Sequence, residues 1–573
     1  MRTKILPAVV ISTLFLLTGC DEIKPFKPAA PPTRVVPGGV AGTIGEYADL
    51  VGGDYMTVRG VGVVVGLGKA GSCDVPDNIR KYLIQHMLKR DVGSPTAGTG
   101  MLPPARLLSD PDAAVVAVEG RIPPGAPVGT RFDVFVETWP QTQTQTLDGG
   151  NLMGADLKLS ITASDDETSA QTRVWGEGHG AIFVNPFIDR SKEPAKTRRG
   201  RIPNGGIVKI ERPVRLELRQ PDYRLASLIQ RRVNTRFSGD EKVAIARSPV
   251  LIEIKIPRVW RDDYLHFLQV LSHICLTGGP GADEEHARQL ARAIELPTAR
   301  PDDIALVWEA MGKHVLPMLH GLYASPNVQA SFFSARTGLR LEDSLAVEPM
   351  LKIAQQADSP SQLAAIYELG QARRFVQVVP ALRTLLSDSN ELVRVAAYEA
   401  LEAHGSAGSI QRTDISGQFT MDTVQAQRDY VIYATVTGPP RIVLFGRGMP
   451  VNLPIFYSPA DELVTINAAK TDKDLSVYRK VPRSGQMSET FTIQPRVEEL
   501  TQRLGRLPSM AVDGSIEGMG LTYSQVVGVL YGMCKDGHIP AKFVLQRSDE
   551  VKRMYLSAAA GGRPDSLEEE QDR

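Results

Sequence analysis

The sequence predicts an α+β fold, in which a strand-rich, multi-domain body carries an inserted all-α segment of HEAT-like repeats. Short β-branched or alternating runs, separated by Gly, Pro and Asp, fill residues 41–300 and return in residues 406–510. Between these regions, residues 301–405 have a helical pattern that repeats along the chain. A length of 573 residues is enough for roughly three or four domains.

The N-terminus has the pattern of a lipoprotein signal peptide over residues 1–19. Arg2 and Lys4 precede an apolar run that is too short to span a bilayer, which needs about 20 apolar residues. The run ends in Leu-Thr-Gly-Cys, so Cys20 is the predicted lipidation site; the alternative is an ordinary signal peptide with an incidental cysteine. Residues 20–40 are Pro-rich and predict an extended tether between a lipid anchor and the folded body.

The region 41–300 is predicted to be α+β and rich in strands. Apolar residues at helical spacing predict helices over 78–89 and 222–237, and Pro221 and Asp222 suit the start of the second. The predicted strands are 61–65, 113–119, 131–136, 157–161 and 251–256.

The helical region 301–405 contains three related units. Pro-Met-Leu at Pro317 recurs at Pro349, 32 residues on, and becomes Pro-Ala-Leu at Pro380, 31 residues further. Each unit continues through a turn into a second apolar helix, as in HEAT arrays. A plain helical bundle is the alternative. An array of this kind exposes a long face, so we expect an outward-facing docking module that folds as its own unit.

After the repeats, the sequence returns to strands and then ends in a short helix and strand. Residues 406–510 contain predicted strands at 430–437, 441–445 and 463–466. The segment 511–557 contains a predicted helix over 522–534 and a strand over 541–545. The tail 558–573 is Gly-rich and then acidic, which predicts disorder.

Charge and motifs argue against nucleic acid, cofactor and metal chemistry. The 65 basic and 65 acidic residues cancel, so no basic footprint for phosphates is present. Residues 66–71 fit G-x-G-x-x-G, but Ser-Cys-Asp-Val-Pro intervenes before any helix could receive a pyrophosphate. His266 and His273 share a helix face with Cys275 nearby, yet the two histidines would lie about 10 Å apart, too far for one zinc ion.

The sequence also lacks a convincing catalytic centre. Adjacent acids occur at 165–167 and at 262–263, in polar stretches that give no sign of opposed environments. No G-x-S-x-G elbow is present. We therefore expect no enzyme activity, no catalytic residues, no cofactor and no metal.

Five stretches of the chain, in order, resemble the flagellar P-ring protein family. The most specific is GRIPNGGIVKIE at 200–211, because its Gly-Arg-Ile-Pro-Asn-Gly string is unusual. The others are LVGGDYMTVRGVGVVVGLGKAG (50–71), GHGAIFV (178–184), LRQPDYRLASLIQRRVNTRF (218–237) and GLTYSQVVGVLYGMCKDGHIPAKFVLQ (520–546). The resemblance covers residues 45–275 well and 430–546 loosely.

The resemblance implies a structural subunit and assigns the regions 41–300 and 406–510 to a P-ring-like body. P-ring subunits form a homo-oligomeric ring around the flagellar rod in the periplasm, within the peptidoglycan layer. With the L ring, this part of the basal body acts as a bushing for motility. The resemblance implies neither substrate nor cofactor. Because its matches lie on both sides of the repeats, we expect 41–275 and 406–546 to pack together.

Two features depart from the family: the lipobox, which is the Leu-Thr-Gly-Cys ending of the predicted signal peptide, and the helical repeats. The family often has one disulfide. Among Cys73, Cys275 and Cys534, the pair Cys275 and Cys534 is one possible match, and the resemblance does not decide between the pairings. The alternative function is that of a lipoprotein scaffold that uses the P-ring fold in another cell-envelope complex.

Overall fold

A computed structural model describes most of the chain between residues 41 and 546. The described residues are 41–92, 103–140, 142–159, 173–188, 192–237, 239, 241–276, 280–296, 298–357, 359–406, 408, 410–427, 429–459, 462–480, 487–510 and 516–546. The predicted signal peptide, the tether with Cys20 and the tail 558–573 lie outside them. No helix among the described residues is long and apolar enough to cross a bilayer.

Among its described residues, the first region contains ten strands and five α-helices. The strands are β1 (Ala48–Val51), β2 (Met56–Val65), β3 (Ala114–Ile122), β4 (Arg131–Thr138), β5 (Asn151–Leu157), β6 (Gly176–Ala181), β7 (Arg199–Val208), β8 (Val214–Leu218), β9 (Ala244–Ala246) and β10 (Leu251–Ile254). The helices are α1 (Ile44–Tyr47), α2 (Asp77–Lys89), α3 (Pro104–Leu107), α4 (Tyr223–Arg236) and α5 (Tyr264–Ser272).

Six of these strands close into a barrel, which the sequence did not predict. The strand order is β2-β3-β4-β7-β6-β5, every pair is antiparallel, and β2 meets β5 through Val64 opposite Leu152. Side chains alternate along β4, so Phe132, Val134 and Val136 fill the interior. The remaining strands form a four-stranded sheet, β1-β8-β10-β9, covered by α4 and α5.

The predicted elements of this region are largely confirmed, with one shift. Helix α4 begins after Asp222, whose carboxylate accepts hydrogen bonds from the backbone N–H groups of Arg224 and Leu225. The strand predicted over 157–161 was misplaced, because β5 ends at Leu157. Position 160 and the acidic stretch 165–167 lie outside the described residues.

The described part of the helical region comprises eight α-helices. They are α6 (Pro280–Ala293), α7 (Pro301–Met311), α8 (Leu316–Leu319), α9 (Val328–Arg340), α10 (Val347–Gln355), α11 (Gln362–Gln371), α12 (Val378–Leu385) and α13 (Glu391–His404). Pro317, Pro349 and Pro380 each lie near the start of a short first helix, α8, α10 or α12. The helical core begins with α6, before the predicted boundary at residue 301, because Ala287 and Leu290 pack into it.

In the part that the structure describes, the last region contains two larger sheets and two α-helices. The elements are β11 (Ile410–Ile415), β12 (Phe419–Val424), β13 (Tyr430–Ala434), β14 (Arg441–Phe445), β15 (Ile455–Tyr457), β16 (Val464–Ala468), β17 (Leu475–Arg479), β18 (Phe491–Ile493), α14 (Val497–Gly505), β19 (Ser509–Met510), β20 (Ile516–Glu517), α15 (Tyr523–Lys535) and β21 (Ala541–Leu545). One sheet has the order β11-β12-β14-β13-β21 and the other β15-β16-β17-β18.

The five-stranded sheet lies between the repeats and α15. Tyr433, Val443 and Phe445 project toward the helical core, while Ile432 and Leu444 project toward the core that contains α15. The repeats therefore share a core with this sheet. Deleting the repeats would expose these buried side chains, which argues against the expectation that the repeats fold as an independent module.

Candidate functional site

The glycine loop at 66–71 is folded around a carboxylate of the chain itself. The backbone N–H groups of Gly66 and Gly68 donate to the carboxylate of Asp112 at 3.2 and 2.6 Å. Both glycines have positive φ, and a Cβ on Gly71 would lie 2.3 Å from the carbonyl oxygen of Ala113. Residues 72–76 then run without helix to α2. A dinucleotide would need both the donors that Asp112 occupies and a helix start here.

The two histidines of the α5 region bind carboxylates of α7. His266 lies 2.8 Å from an oxygen of the buried Glu309, and Nε2 of His273 lies 3.5 Å from an oxygen of Asp303. Neither histidine faces a shared metal position. Among the described residues, no group of three or more His, Cys, Asp or Glu side chains could hold a metal ion.

A buried charge network, here called the polar seam, joins the repeats to the first region. It consists of His266 on α5, Glu309 on α7, Arg336 and Arg340 on α9, and Glu368 on α11. The carboxylate of Glu368 forms ion pairs with two arginines: one oxygen lies 3.3 Å from Nε of Arg336, and the other lies 3.1 Å from Nη2 of Arg340. At the rim, Arg340 pairs with Asp263 at 2.8 Å, so one of the adjacent acids at 262–263 serves a structural contact.

The charges of the polar seam hold its carboxylates ionised. Burial alone would raise the pKa of Glu368, but the guanidinium groups of Arg340 and Arg336 outweigh burial and lower it. Burial likewise opposes ionisation of Glu309, whose pKa is lowered by His266 and by the charges of Arg340 and Arg336. Carboxylates tuned toward permanent charge are poor proton donors near neutral pH, so the network is suited to holding helices rather than to acid–base catalysis.

At the other end of the repeats, an apolar seam joins α13 to the five-stranded sheet. It consists of Tyr398 on α13 with Tyr433, Val443 and Phe445, all of which are buried. The ring of Tyr398 lies 6.2 Å from Phe445 and 6.3 Å from Tyr433. Its hydroxyl donates to the buried carboxylate of Asp422 at 2.5 Å.

The barrel and the C-terminal region dock directly against each other, as the sequence predicts. The hydroxyl of Ser524, at the start of α15, accepts from the N–H of Val184 at 3.1 Å and donates to Asp148 at 3.1 Å. The rings of Phe183 and Tyr523 pack 5.7 Å apart. The chain thus returns to the barrel more than 300 residues later, so the two regions form one body around the inserted repeats.

The Gly-Arg-Ile-Pro-Asn-Gly string forms an irregular corner on β7. Asn204 has φ +59°, and its N–H donates to the carboxylate of Asp133 at 2.7 Å, opposite a register shift in β4. A Cβ on Gly206 would meet the ring of Phe132 at 2.4 Å. Asp133 also accepts from the N–H of Gly438 at 3.3 Å, which ties this corner to the C-terminal region.

An exposed row of side chains crosses four strands on the outside of the barrel. Arg59 on β2 lies opposite Glu119 on β3, Glu119 opposite Phe135 on β4, and Phe135 opposite Arg201 on β7. Arg59 pairs with Glu119 at 3.0 Å, and the guanidinium of Arg201 lies 4.6 Å from the centre of the Phe135 ring. We call these four residues the cross-barrel row. Phe135 is 37% exposed.

The structure does not bring Cys275 and Cys534 together. All three described cysteines are free: Cys275 packs in the helical core near His286, whereas Cys534 lies at the end of α15 against another core. The pairing suggested by the resemblance is therefore not formed here. Burial raises the pKa of the Cys275 thiol to about 11 and that of Cys534 to about 12, so both favour the protonated form.

Sequence reasoning missed the polar seam and the cross-barrel row. The spacing of Arg336 and Arg340 by four residues on a predicted helix was a usable signal, because it places both on one face. The partner Glu368 lies on another helix and could not be assigned. The row depends on strand register, which no local pattern in the sequence contains.

Two family models match the chain. The model described as "Flagellar P-ring protein" matches residues 43–280, and the model of HEAT repeats matches residues 347–412. The first match covers the barrel, the four-stranded sheet and the irregular corner on β7. The second covers the last two repeat units. The resemblance read from the sequence is confirmed over 43–280, and the family match does not extend to residues 520–546.

Curated relatives with the same description occur in several bacteria. A flagellar P-ring protein of Geobacter metallireducens is 28% identical over 221 residues, which is 36% of this chain and 54% of the relative. Those of Thermotoga petrophila and Aquifex aeolicus are each 27% identical, over 38% and 37% of this chain and 61% and 56% of their own lengths. The chain thus spans somewhat more than half the length of these relatives.

Proposed function

We propose that this chain, whose residues 43–280 are similar to flagellar P-ring proteins, is a structural subunit of the P ring of the flagellar basal body. The observation that carries the proposal is that the family match spans the whole barrel and the sheet beside it, including the unusual corner at Asn204. The role is structural and not catalytic. The subunits would assemble around the rod in the periplasm, within the peptidoglycan layer and beside the L ring.

The cross-barrel row is the surface that we assign to contact between neighbouring subunits. A ring needs two different patches on each subunit, one contacting the next copy and one contacting the previous copy. The row offers an exposed aromatic ring beside a guanidinium, two kinds of side chain that are enriched in protein interfaces, and its Glu119–Arg59 pair adds a charged flank. Its strands are rigid because they belong to a closed barrel.

The lipid anchor at Cys20 and the helical repeats would attach this subunit to other parts of the cell envelope. Acylation at Cys20 and the Pro-rich tether would hold the ring on a membrane. The repeats, fixed at both ends by the polar and apolar seams, would present a rigid outer face to a second envelope component. The same features favour the alternative function, a lipoprotein scaffold that uses the P-ring fold in another envelope complex.

Imaging of basal bodies distinguishes the two functions. If the chain builds the P ring, basal bodies from a deletion strain should lack the periplasmic ring, and cells should lose motility. Complementation with the unaltered gene should restore both. Basal bodies with intact rings in the deletion strain would contradict the proposal and favour the scaffold of another complex.

The contact surface is tested by Phe135→Asp, which replaces the central ring of the cross-barrel row with a charge. We expect at least a tenfold loss of ring-sized oligomer in detergent extracts, measured by light scattering, while circular dichroism stays unchanged. Tyr223→Asp is the matched control, because Tyr223 is an exposed aromatic residue on α4, away from the row. Equal oligomer yields from both variants would remove the row from the ring contact.

A further inference from the structure

The strand β21 forms an open, apolar edge of the five-stranded sheet. Among the described residues, its one strand neighbour is β13, in a parallel pair from Tyr430 opposite Ala541 to Ala434 opposite Leu545. Four residues of β13 are fully buried, whereas none of the five residues of β21 is, although four of the five are apolar. An edge strand offers a row of unpaired backbone groups to any further strand.

On one face of this edge lies an apolar groove of about 220 Å³ between α11, α13 and the sheet. Val544 of β21 forms its floor with Tyr433, and the groove walls come from both helices. Tyr367, on α11, remains 36% exposed at its mouth. The lining helix residues include Leu363, Tyr367, Leu392 and Val395.

On the opposite face lies a half-exposed aromatic cluster. Phe543 of β21 packs against Tyr531 of α15 with ring centres 5.7 Å apart. Phe187, which follows the barrel strand β6, lies 4.3 Å from Tyr531 and 6.2 Å from Phe543. Phe187 is 37% exposed, so this cluster also presents apolar surface beside the edge.

The two flanks together define what the edge would accept. Side chains of a strand alternate between the two faces of its sheet, so an added strand would place alternate residues in the groove and on the aromatic cluster. A segment with apolar side chains on both faces would therefore cover both surfaces. A segment with apolar residues on one face only would leave one of them exposed.

We propose that residues 551–556 of this same chain add to β21 as an antiparallel sixth strand. The chain continues beyond β21 for residues 547–573, and the first apolar run there is Val-Lys-Arg-Met-Tyr-Leu at 551–556. In an extended segment, Val551 and Tyr555 share one face with Arg553, and Met554 and Leu556 share the other with Lys552, so each face has two apolar side chains and one cation. The connection 546–550 has the length of a common hairpin loop. This inference is independent of the ring function.

Charge and proximity favour the chain's own segment over a separate partner. Lys552 and Arg553 lie on opposite faces of an extended segment, so one of the two cations would face the groove, which Glu399 lines. The side chain of Gln546 accepts from the N–H groups of Val436 and Thr437, so the chain leaves β21 from a fixed point. A short tether keeps the effective concentration of such a segment in the millimolar range.

Hydrogen exchange of β21 amides tests the proposal in the purified full chain. The amides of 541–545 that point away from β13 should exchange at least tenfold more slowly in the full chain than in a chain ending at Gln546. A chain ending at Ala558, which keeps 551–556, should retain the protection. Arg553→Pro in the full chain should abolish it, because proline removes a donor from the added strand, whereas Ala559→Pro should not.

Three results would separate the possible occupants. Protection that depends on residues 551–556 and is unchanged by tenfold dilution supports the proposal. Protection that is lost on dilution would mean that a second copy supplies the strand, and would overturn it. Equal exchange in the full and shortened chains would also overturn it. Because Arg553→Pro is made in the full chain, it tests the added strand even if the shortened chain folds poorly.

Discussion

The two ends of the helical repeats are attached to the rest of the molecule by different balances of charge pairing and aromatic packing. The polar seam holds the first repeats to the α5 region through the pairs His266–Glu309 and Asp263–Arg340, whereas the apolar seam holds α13 to the sheet mainly through aromatic packing. The acids of the polar seam are buried like the apolar seam, and its two arginine side chains are only 16% exposed, so the main difference between the seams is chemical. Aromatic packing is tolerant of small rotations, while a set of buried ion pairs is satisfied in few arrangements.

The contrast suggests a division of roles between the seams. The apolar seam continues into a core shared with the sheet and should supply most of the stability of the attachment. The polar seam should fix the angle at which the repeats leave the first region, because His266 must meet Glu309 while Asp263 meets Arg340. Buried ion pairs add little net stability when intact, yet breaking one is costly.

The largest effect is expected from Glu368→Gln, which removes one charge from the polar seam. Arg336 and Arg340 would then keep only their outer partners, Asp302 and Asp263, and the loss of a buried charge partner costs about 3–5 kcal/mol of unfolding free energy. Urea denaturation monitored by circular dichroism measures the change. Glu348→Gln is the matched control, because the exposed Glu348–Lys352 pair should contribute under about 0.5 kcal/mol. A loss below about 1 kcal/mol in Glu368→Gln would show that water screens the seam.

A smaller effect is expected at the polar anchor of the apolar seam. Tyr398→Phe removes the hydroxyl that donates to the buried Asp422, which Arg412 still contacts at 2.6 and 2.9 Å. We expect a loss of about 1.5–3 kcal/mol in the same denaturation assay.

Tyr433→Phe is the matched variant for this comparison. Its hydroxyl donates at 2.6 Å to Glu399, which lines the open groove and can be solvated once the hydroxyl is gone. The loss should stay near about 1 kcal/mol. If Tyr433→Phe lowers the unfolding free energy by more than Tyr398→Phe does, water does not reach Glu399 in the variant. The groove would then be covered in solution, which would favour an occupied β21 edge.

The comparison of seams also shows what could be predicted from sequence. The prolines of the repeat units and the alternation in β3, β4 and β14 are local patterns, and the structure has these elements within a few residues of their predicted positions. The barrel closure, the shared core of α13 and the partners of Arg336 depend on contacts between distant segments. Leu157 illustrates the limit of sequence-based prediction. The sequence places a strand after Leu157, whereas strand β5, which pairs with β6, lies before it and ends at Leu157.

The acid sensitivity of the polar seam is a further prediction. The pKa values of Glu309 and Glu368 are lowered below the ordinary glutamate value of 4.5, so their contribution is fully present above pH 4.5. It is lost as the pH falls through the folded-state values. The urea midpoint of the wild type should therefore fall more steeply below pH 4.5 than that of Glu368→Gln. Parallel curves would show that these carboxylates do not titrate with unfolding.

The smallest effect is expected from a half-buried charge cluster on the barrel, which offers a contrast to the polar seam. Asp156 on β5 contacts Arg90 at 2.6 Å and His86 at 3.2 Å, both on or beside α2. Burial alone would raise its pKa, but the hydrogen bonds and charges of His86 and Arg90 lower it from 3.8 to about 2. Solvent reaches this site, so Asp156→Asn should cost only about 1 kcal/mol or less at neutral pH.

The pH dependence of Asp156→Asn identifies the cause of that small loss. Because the pKa is lowered on folding, the stability from Asp156 is fully present above pH 3.8 and disappears as the pH falls through about 2. The difference in urea midpoint between wild type and Asp156→Asn should therefore be constant from pH 7 to 5 and should vanish near pH 2. A difference in urea midpoint that persists at pH 2 would mean that Asp156 acts by packing and not by charge. Charge would then contribute less to the contact between α2 and the barrel than to the contact between the repeats and α5.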